Sequence, residues 1–362
     1  MAGKGHIMFV ALRDLRFARG RFLLIGSVVA LITVLVGFLS GLTGGLATQN
    51  ISAVLEMPAD RIVFSAPAAG QSTTFADSAV NEEQAAAWAS TAGVVAAEPV
   101  GISQTRAEVG DARIAVAVFG VQPGYDASAP SRDGLLSFSE SAAEDLGVAI
   151  GDVVTIAGTD YTVETIAGDG WYSHTPVVQM TLADWQSYAA MTGSAEVYAT
   201  VLAVTGTPDW AAADDANATV SESTLESLLA LSAFRSEIGS LLLMVGMLFG
   251  ISGLVIGAFF TVWTMQRKGD IAVLKALGAT TRSLVRDALG QAMIVLLLGI
   301  GIGIGLVVLF ATLLGGALPF LLSPLTTLVP GAIMIALGLA GAAFALRSVT
   351  SADPLTALGS NR

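Results

Sequence analysis

The residues best suited to bind a ligand lie around position 237. Glu237 is a carboxylate next to a long uncharged stretch, with Arg235 two residues before it and Met244 seven residues after it. In a helix, Glu237 and Met244 would share one face, about 20° apart and roughly 10 Å along the axis. Carboxylates and thioethers bind metal ions, and a guanidinium binds anions. The spacing therefore predicts a binding site built from Glu237, Met244 and Arg235.

Simpler interpretations of these residues remain open. Glu237 would face interfacial water or pair with Arg235, and Met244 would serve only in packing. A second set of donors, Tyr172 and His174, lies in the segment GDGWYSH. These two side chains predict a loop that contacts a ligand, with core or surface packing as the alternative.

The rest of the sequence carries no pattern typical of a catalytic site. There is no cysteine, which excludes disulfides and thiolate metal sites. The motifs GxSxG, HExxH and GxxxxGK[ST] are absent. His174 is the one histidine of residues 46–235 and cannot alone form a catalytic triad or a multi-histidine metal site. We predict that the chain is not an enzyme.

The composition is that of a membrane protein. Apolar residues make up 54 % of the chain and charged residues 13 %, about half the usual share. A span needs about 20 residues, and the uncharged residues 288–346 would form a helix of about 88 Å, so they must contain two spans. Pro319, Pro324 and Pro330 predict the turn between them. The predicted spans are 22–45, 238–266, 288–314 and 328–346, with an extracellular turn at 315–327.

The distribution of charge predicts the orientation. Residues 1–21 and residues 267–287 each carry five Lys or Arg, whereas residues 46–235 carry 5 basic and 24 acidic side chains. Lys and Arg in short flanks mark the cytoplasmic side. The cytoplasm is therefore expected to hold the amphipathic helix 1–21, which lies on the membrane lipids, the segment 267–287 and the tail 347–362. The acidic residues 46–235 lie outside the cell membrane, and their charge excludes nucleic-acid binding.

Residues 46–235 alternate short β-like runs with helical patterns and turns. The predicted fold class is thus membrane α-helical, with four transmembrane helices and a mixed α/β extracellular domain inserted between helices 1 and 2. Gly37, Gly41 and Gly45 repeat every fourth residue, which favours close packing in a bundle or dimer. Predicted strands are Arg61–Ser65, Arg113–Val121, Val153–Ile156, Tyr161–Ile166, Val177–Met180 and Val197–Val204, and predicted helices are Asn81–Thr91, Ser139–Leu146, Leu182–Met191 and Thr207–Asn217.

The segment between the second and third spans reads RKGDIAVLKALGATTRSLVRD. Its apolar and basic residues alternate so that a short helix would be apolar on one side and cationic on the other. This helix would end at Gly278, and a second would start near Thr280. Such a helix is suited to a groove in a cytosolic partner. The predicted contact residues are Arg267, Lys268, Asp270, Ile271, Leu274, Lys275, Leu277 and Gly278.

This segment resembles the coupling segment of the MacB/FtsX-type (type VII) ABC transporter permeases, in which Glu usually stands at the position of Asp270. Leu146–Gly168 is similar to the small β-rich part of the family's outer domain, and ADPLTALG, Ala352–Gly359, to its DP-x-x-AL tail. One span, a large outer domain and three further spans is also the family order. The compact outer domain most resembles the haem-efflux (HrtB-type) permeases of Gram-positive bacteria.

The resemblance implies a homodimer with two copies of a cytosolic ABC ATPase, a separate subunit that holds ATP and Mg²⁺. It implies no permanently bound cofactor and haem as the substrate, with the iron bound by Glu237 or Met244 and a propionate by Arg235. The expected function is lateral capture of haem from the membrane and its ATP-driven expulsion. Two alternatives remain: mechanical activation of an extracellular cell-wall hydrolase, and extraction of lipids or lipoproteins.

Overall fold

The computed structural model describes residues 19–194, 197–267, 269, 273–275, 277–314 and 318–350. The chain divides into an outer domain, Leu46–Gly239, and a membrane unit formed by the residues on either side of it. The helices described are α1 (Arg19–Leu55), α2 (Glu82–Ala89), α3 (Glu140–Leu146), α4 (Leu182–Met191), α5 (Trp210–Asn217), α6 (Thr224–Ser227), α7 (Ser232–Gln266), α8 (Thr281–Leu314) and α9 (Pro324–Thr350). The strands described are β1 (Arg61–Ser65), β2 (Val94–Val109), β3 (Ala112–Val121), β4 (Leu135–Phe138), β5 (Val153–Ile156), β6 (Thr159–Ile166), β7 (Trp171–Tyr172), β8 (Thr175–Thr181), β9 (Val201–Gly206) and β10 (Thr219–Ser223).

Four helices of the described chain are long and apolar enough to cross a membrane: α1, α7, α8 and α9. The fold class predicted from the sequence, four spans with a mixed α/β domain between the first and second, is confirmed. All four helices extend beyond the predicted spans. Helix α1 continues past residue 45 to Leu55 because Ala53 and Val54 are buried in the core of the outer domain. Helix α7 starts at Ser232, because Phe234 is buried in the same core.

The turn before the last span is shorter than the predicted 315–327. Helix α9 starts at Pro324, and the use of Pro330 as a turn marker was wrong because this residue lies inside the helix. Ser323 caps the helix, and its Oγ accepts a hydrogen bond from the Thr326 N–H at 3.2 Å. Pro324 takes the first helical position, where a missing N–H has no effect on the hydrogen bonds of the helix.

Glycines allow the helices of the membrane unit to approach closely. A Cβ atom at Gly37 would lie 2.9 Å from Val307 of α8, and one at Gly45 would overlap the backbone carbonyl of Pro319. On α8, a Cβ atom at Gly303 would lie 2.8 Å from the backbone carbonyl oxygen of Ala30 in α1. The repeat Gly37, Gly41 and Gly45 therefore packs against the helix bundle of its own protomer, since Gly41 faces the ring of Phe320.

One part of the outer domain is a four-stranded antiparallel sheet in the order β10-β1-β9-β2. Its strands are connected as β1-α2-β2 and β9-α5-β10, the split β-α-β arrangement of ferredoxin-like folds. Successive side chains of a strand face opposite sides. Val63 and Leu202 accordingly pack with Trp88 of α2 on one side, whereas Ile62 and Phe64 pack on the other side with residues at the end of α1 and the start of α7.

The other part is a closed six-stranded barrel. Strand β2 has 16 residues, and its second half leaves the first sheet to pair with β3 and, at Ala107 and Glu108, with β5. The strands β2-β3-β8-β4-β6-β5 therefore form a ring. Closure leaves no strand edge within the ring to pair with another chain. Its core, which includes Leu136, Phe138 and Met180, also contains residues of α3 and α4.

Candidate ligand site and coupling segment

A tight hairpin positions His174. Strands β7 and β8 pair so that Ser173 and His174 form a two-residue loop. Both residues have positive φ, +48° and +64° respectively, as a type I′ turn requires. The tip of this hairpin lies against α1, because the Ser173 N–H donates to the Asn50 carbonyl at 3.0 Å and the His174 N–H to the Gln49 carbonyl at 2.9 Å.

These contacts place His174 beside Glu237 and Asn50. The His174 Nε2 lies 3.1 and 3.2 Å from the two carboxylate oxygens of Glu237. The Asn50 Nδ2 donates to Glu237 Oε2 at 3.3 Å. Because a carboxylate only accepts, the neutral imidazole carries its proton on Nε2 and keeps the lone pair of Nδ1. His174 and Glu237, which were both predicted to bind a ligand and are 63 positions apart in the sequence, are thus in direct contact.

The cluster combines a buried residue with two half-exposed ones. The side chains of His174 and Glu237 are 33 % and 41 % exposed, whereas Asn50 is fully buried. The Oδ1 of Asn50 has no hydrogen-bond partner among the described residues. The half-exposed imidazole therefore offers the electron pair of its Nδ1 to a ligand, whereas the Asn50 amide oxygen beside it is buried.

The other predicted ligand residues lie elsewhere. Arg235 is two positions before Glu237, which places it on a different side of α7, and it lines an open hollow with Arg61 and Glu222. Burial raises the pKa of the Glu222 carboxyl in that hollow. Met244 belongs to the membrane unit and is 46 % exposed.

Tyr172 lies in the core of the outer domain. Its side chain is buried, and its ring packs edge-on against Phe75 and Phe119, with centroid distances of 5.9 and 5.7 Å. Burial raises the pKa of its phenol. The alternative of core packing, which the sequence left open, is therefore the correct one for this residue.

Sequence reasoning missed Asn50 because the first span was predicted to end at residue 45. The signal for it was present. Thr48, Gln49 and Asn50 form a polar run beyond the apolar part of α1, and a helix that continued through them would bring an amide into the domain.

At the other end of α7, Arg267 is fixed to the third span. Its Nη1 donates to the Gln291 Oε1 at 2.6 Å, and its guanidinium lies 5.4 Å from the centre of the Trp263 ring. Gln291 is fully buried and donates in turn to Asp287 at 3.0 Å. Arg267, which the sequence predicted to contact a cytosolic partner, is therefore hydrogen-bonded to Gln291 of α8. Gln291 was not singled out from the sequence, although it is a polar residue within an apolar span.

The described part of the coupling segment ends a helix at Gly278. This residue has a φ of +93°, the Ala279 N–H donates to the Leu274 carbonyl at 2.9 Å, and the Gly278 N–H donates to the Lys275 carbonyl at 3.0 Å. These two bonds form a Schellman motif. Leu274 and Leu277 are 43 % and 79 % exposed. Three further predicted contact residues lie outside the described residues: Lys268, Asp270 and Ile271.

Comparison with known proteins identifies the C-terminal part of the chain. Residues 242–354 match the family of FtsX-like permease C-terminal domains. An uncharacterized ABC transporter permease of Mycobacterium bovis is 26 % identical over 98 % of this chain and 99 % of that protein. The chain is thus similar over its full length to an ABC transporter permease, and its C-terminal part is similar to FtsX-like permeases.

A second relative of this chain is the putative hemin transport system permease protein HrtB of Staphylococcus epidermidis. The two are 23 % identical over 97 % of this chain and 99 % of that protein. Among solved structures, the extracellular domain of the noncanonic ABC-type transporter YknZ from Gram-positive bacteria covers 45 % of this chain and 98 % of its own, with 12 % identity and a TM-score of 0.34. The family resemblance found in the sequence is confirmed.

The FtsX-like match and the four long apolar helices of the described chain indicate a membrane protein. The matched residues contain most of α7 and also include the coupling segment, α8 and α9. The polar contacts of Arg267, Gln291 and Asp287 therefore belong to the FtsX-like part. The cluster of His174, Glu237 and Asn50 belongs to the outer domain.

Proposed function

We propose that this permease is the membrane subunit of an efflux pump that takes an amphipathic molecule, with haem as the leading substrate, laterally from the membrane. The observation that carries the proposal is the contact of His174 with Glu237, because a carboxylate that accepts the ring N–H orients a histidine as a metal ligand. The names of relatives support haem, since two proteins from Staphylococcus epidermidis and Staphylococcus haemolyticus, 23 % and 24 % identical, are called putative hemin transport permeases.

In this proposal His174 binds the haem iron through Nδ1. Glu237 accepts the Nε2–H and so fixes both the tautomer and the direction of the ring, as a carboxylate does for a metal-bound histidine. Asn50 holds the carboxylate by its Nδ2 donor. Met244 stays a candidate for a thioether contact with the substrate inside the membrane, whereas Arg235 is left out.

We place both termini and the coupling segment in the cytoplasm, because the Lys and Arg of residues 1–21 and 267–287 flank the spans on that side. The exposure of α7 supports a homodimer, since only 11 % of its most apolar stretch is buried inside the protomer. A second copy that covered the α7 side chains Leu243, Met247 and Leu254, each more than half exposed, would shield them. Gly246 and Gly250 have no neighbour within 4 Å in the described protomer and would permit a close approach.

Two copies of a separate cytosolic ATPase would supply the energy. Leu274 and Leu277, exposed beside the helix-ending Gly278, would enter its groove. Movement of this segment would reach α8 through the hydrogen bonds from Arg267 to Gln291 and from Gln291 to Asp287.

Replacement of the most exposed of these leucines tests the docking. We expect Leu277→Asp to reduce co-purification of the ATPase at least about tenfold. Burial of a leucine in an apolar groove contributes about 1.5–3 kcal/mol to binding, and a charged aspartate makes no such contribution. The permease should keep its melting temperature because Leu277 is 79 % exposed. Leu225→Asp, at a leucine of the outer domain that is 72 % exposed, is the control and should retain the ATPase. Equal retention by both variants would rule out docking through Leu277.

The function itself is tested by titrating haem into the purified full-length permease. We expect a saturable shift of the Soret band that is lost in His174→Ala and kept in His6→Ala, which removes the other histidine of the chain.

If the Soret band did not shift and a cell-wall hydrolase co-purified with the chain, mechanical transmission would be the function in place of efflux. That alternative is supported by the length of α7, whose 35 residues span about 52 Å at 1.5 Å each, more than a hydrocarbon core of about 30 Å. Acyl chains in place of haem would indicate lipid extraction.

A further inference from the structure

The outer domain contains a cavity to which none of His174, Glu237 and Asn50 contributes. Its volume is about 90 Å³, less than the roughly 150 Å³ of an apolar cavity that accepts benzene. The end of α1, the strands β3, β4 and β8 and the loop after β3 form its walls. The lining residues that matter for its chemistry are Glu56, Phe119, Tyr125, Phe138 and Gln179.

Two buried polar atoms of these lining residues lack partners. The Gln179 Nε2 donates to Asp126 Oδ2 at 2.8 Å, which fixes the orientation of the amide. The Gln179 Oε1 and the Tyr125 hydroxyl are then buried without a hydrogen-bond partner among the described residues. Buried polar atoms are nearly always hydrogen-bonded, so two of them in one cavity indicate a missing ligand or ordered water.

The groups left over are chiefly acceptors. Asp126 is satisfied, since its Oδ1 accepts from the N–H and the hydroxyl of Ser128, both at 2.8 Å, and its Oδ2 accepts from Gln179. The Glu56 carboxylate has no hydrogen bond within the described part of the chain, and its partial burial and the charge of Asp169 raise its pKa. Burial also raises the pKa of Tyr125, which keeps its phenol neutral. A cationic donor is the complementary occupant.

We propose that this cavity binds a primary alkylammonium group, independently of the transported substrate. Such a group has three N–H donors, which match the acceptors of Gln179, Tyr125 and Glu56. Its methylenes would contact Phe119, whose ring also attracts a cation. The described residues contain no group of three or more His, Asp or Glu able to hold a metal ion, which favours an organic cation. The ammonium would come from a lysine of another extracellular protein or from a free alkylamine.

The experiment uses the full-length permease in nanodiscs and n-propylamine as the probe, with binding followed by saturation-transfer NMR. We expect saturable binding at neutral pH and at least about tenfold weaker binding of the neutral isostere n-propanol. Tyr125→Phe should weaken the amine at least about fivefold without lowering the melting temperature, because the hydroxyl it removes has no protein partner. Tyr161→Phe, at a buried tyrosine of the barrel core, should leave the affinity unchanged.

Two arms distinguish the sources of the ammonium. Competition by Nα-acetyl-lysine methylamide at equal affinity would assign the cavity to a protein lysine, and binding of propylamine alone would assign it to a free amine. The proposal is overturned if propylamine does not saturate, if Tyr125→Phe binds it as well as the natural chain does, or if a crystal grown with the amine shows ordered water only.

Discussion

Gly45→Ala is expected to disrupt the membrane unit. The added Cβ would overlap the carbonyl of Pro319, and neither this backbone atom nor the rigid helix α1 can move away as a flexible side chain would. Overpacking costs about 1–3 kcal/mol and more where backbone atoms must shift. We therefore expect a fall of several degrees in the melting temperature of the purified permease, with a lower yield of folded protein.

A second glycine supplies the control for this experiment. Gly301 lies in the middle of α8, and a Cβ atom there has no neighbour within 4 Å. Gly301→Ala should be neutral or stabilise the helix by about 0.5–1 kcal/mol, because alanine loses less conformational entropy. Equal melting temperatures for the two variants would show that α1 does not pack on Pro319.

Glu237→Ala is expected to abolish most haem binding. Loss of the carboxylate removes the acceptor of the His174 Nε2–H, and removing such a partner of a metal-bound histidine lowers metal affinity about 10–100-fold. Cells that depend on this permease should lose haem resistance, while the variant should still assemble with its ATPase. Haem affinity from the Soret shift and resistance on haem-containing plates measure the two effects.

The matched control is Glu83→Ala, at an exposed glutamate in the first turn of α2. It removes the same charge from the same domain and should leave haem affinity unchanged. Glu237→Gln is expected to lie between, because its amide oxygen still accepts a hydrogen bond but carries no charge. If Glu237→Ala bound haem as tightly as Glu83→Ala, the cluster of His174, Glu237 and Asn50 would not be the binding site.

Several elements could be predicted accurately from the sequence. Strands Arg61–Ser65 and Val153–Ile156 and helix Leu182–Met191 have the predicted bounds, because β-branched runs and a capped apolar pattern mark them locally. Strand β2 was missed. It contains Pro99 and three alanines, which do not favour a strand, and it forms because it pairs with β9 on one half and with β3 on the other.

The candidate site, like the fold, could be predicted only in part from the sequence. The residue types of Glu237 and His174 pointed to ligand binding, but their contact depends on a hairpin tip that docks on α1, which no local pattern predicts. Asn50 was missed because the first span was predicted to end at residue 45. Core packing of Tyr172 stayed one of two alternatives because an aromatic residue beside a glycine has the same pattern in a loop and in a core. Burial depends on partners that are distant in sequence, here Phe75 and Phe119.

The residues of the turn at Ser173 and His174 are not the ones that would make this hairpin most stable. Asn-Gly suits a backbone with φ of +48° and +64° far better, and strained positions of this kind cost about 1–3 kcal/mol each. The imidazole at the second position therefore makes the hairpin less stable than a glycine there would.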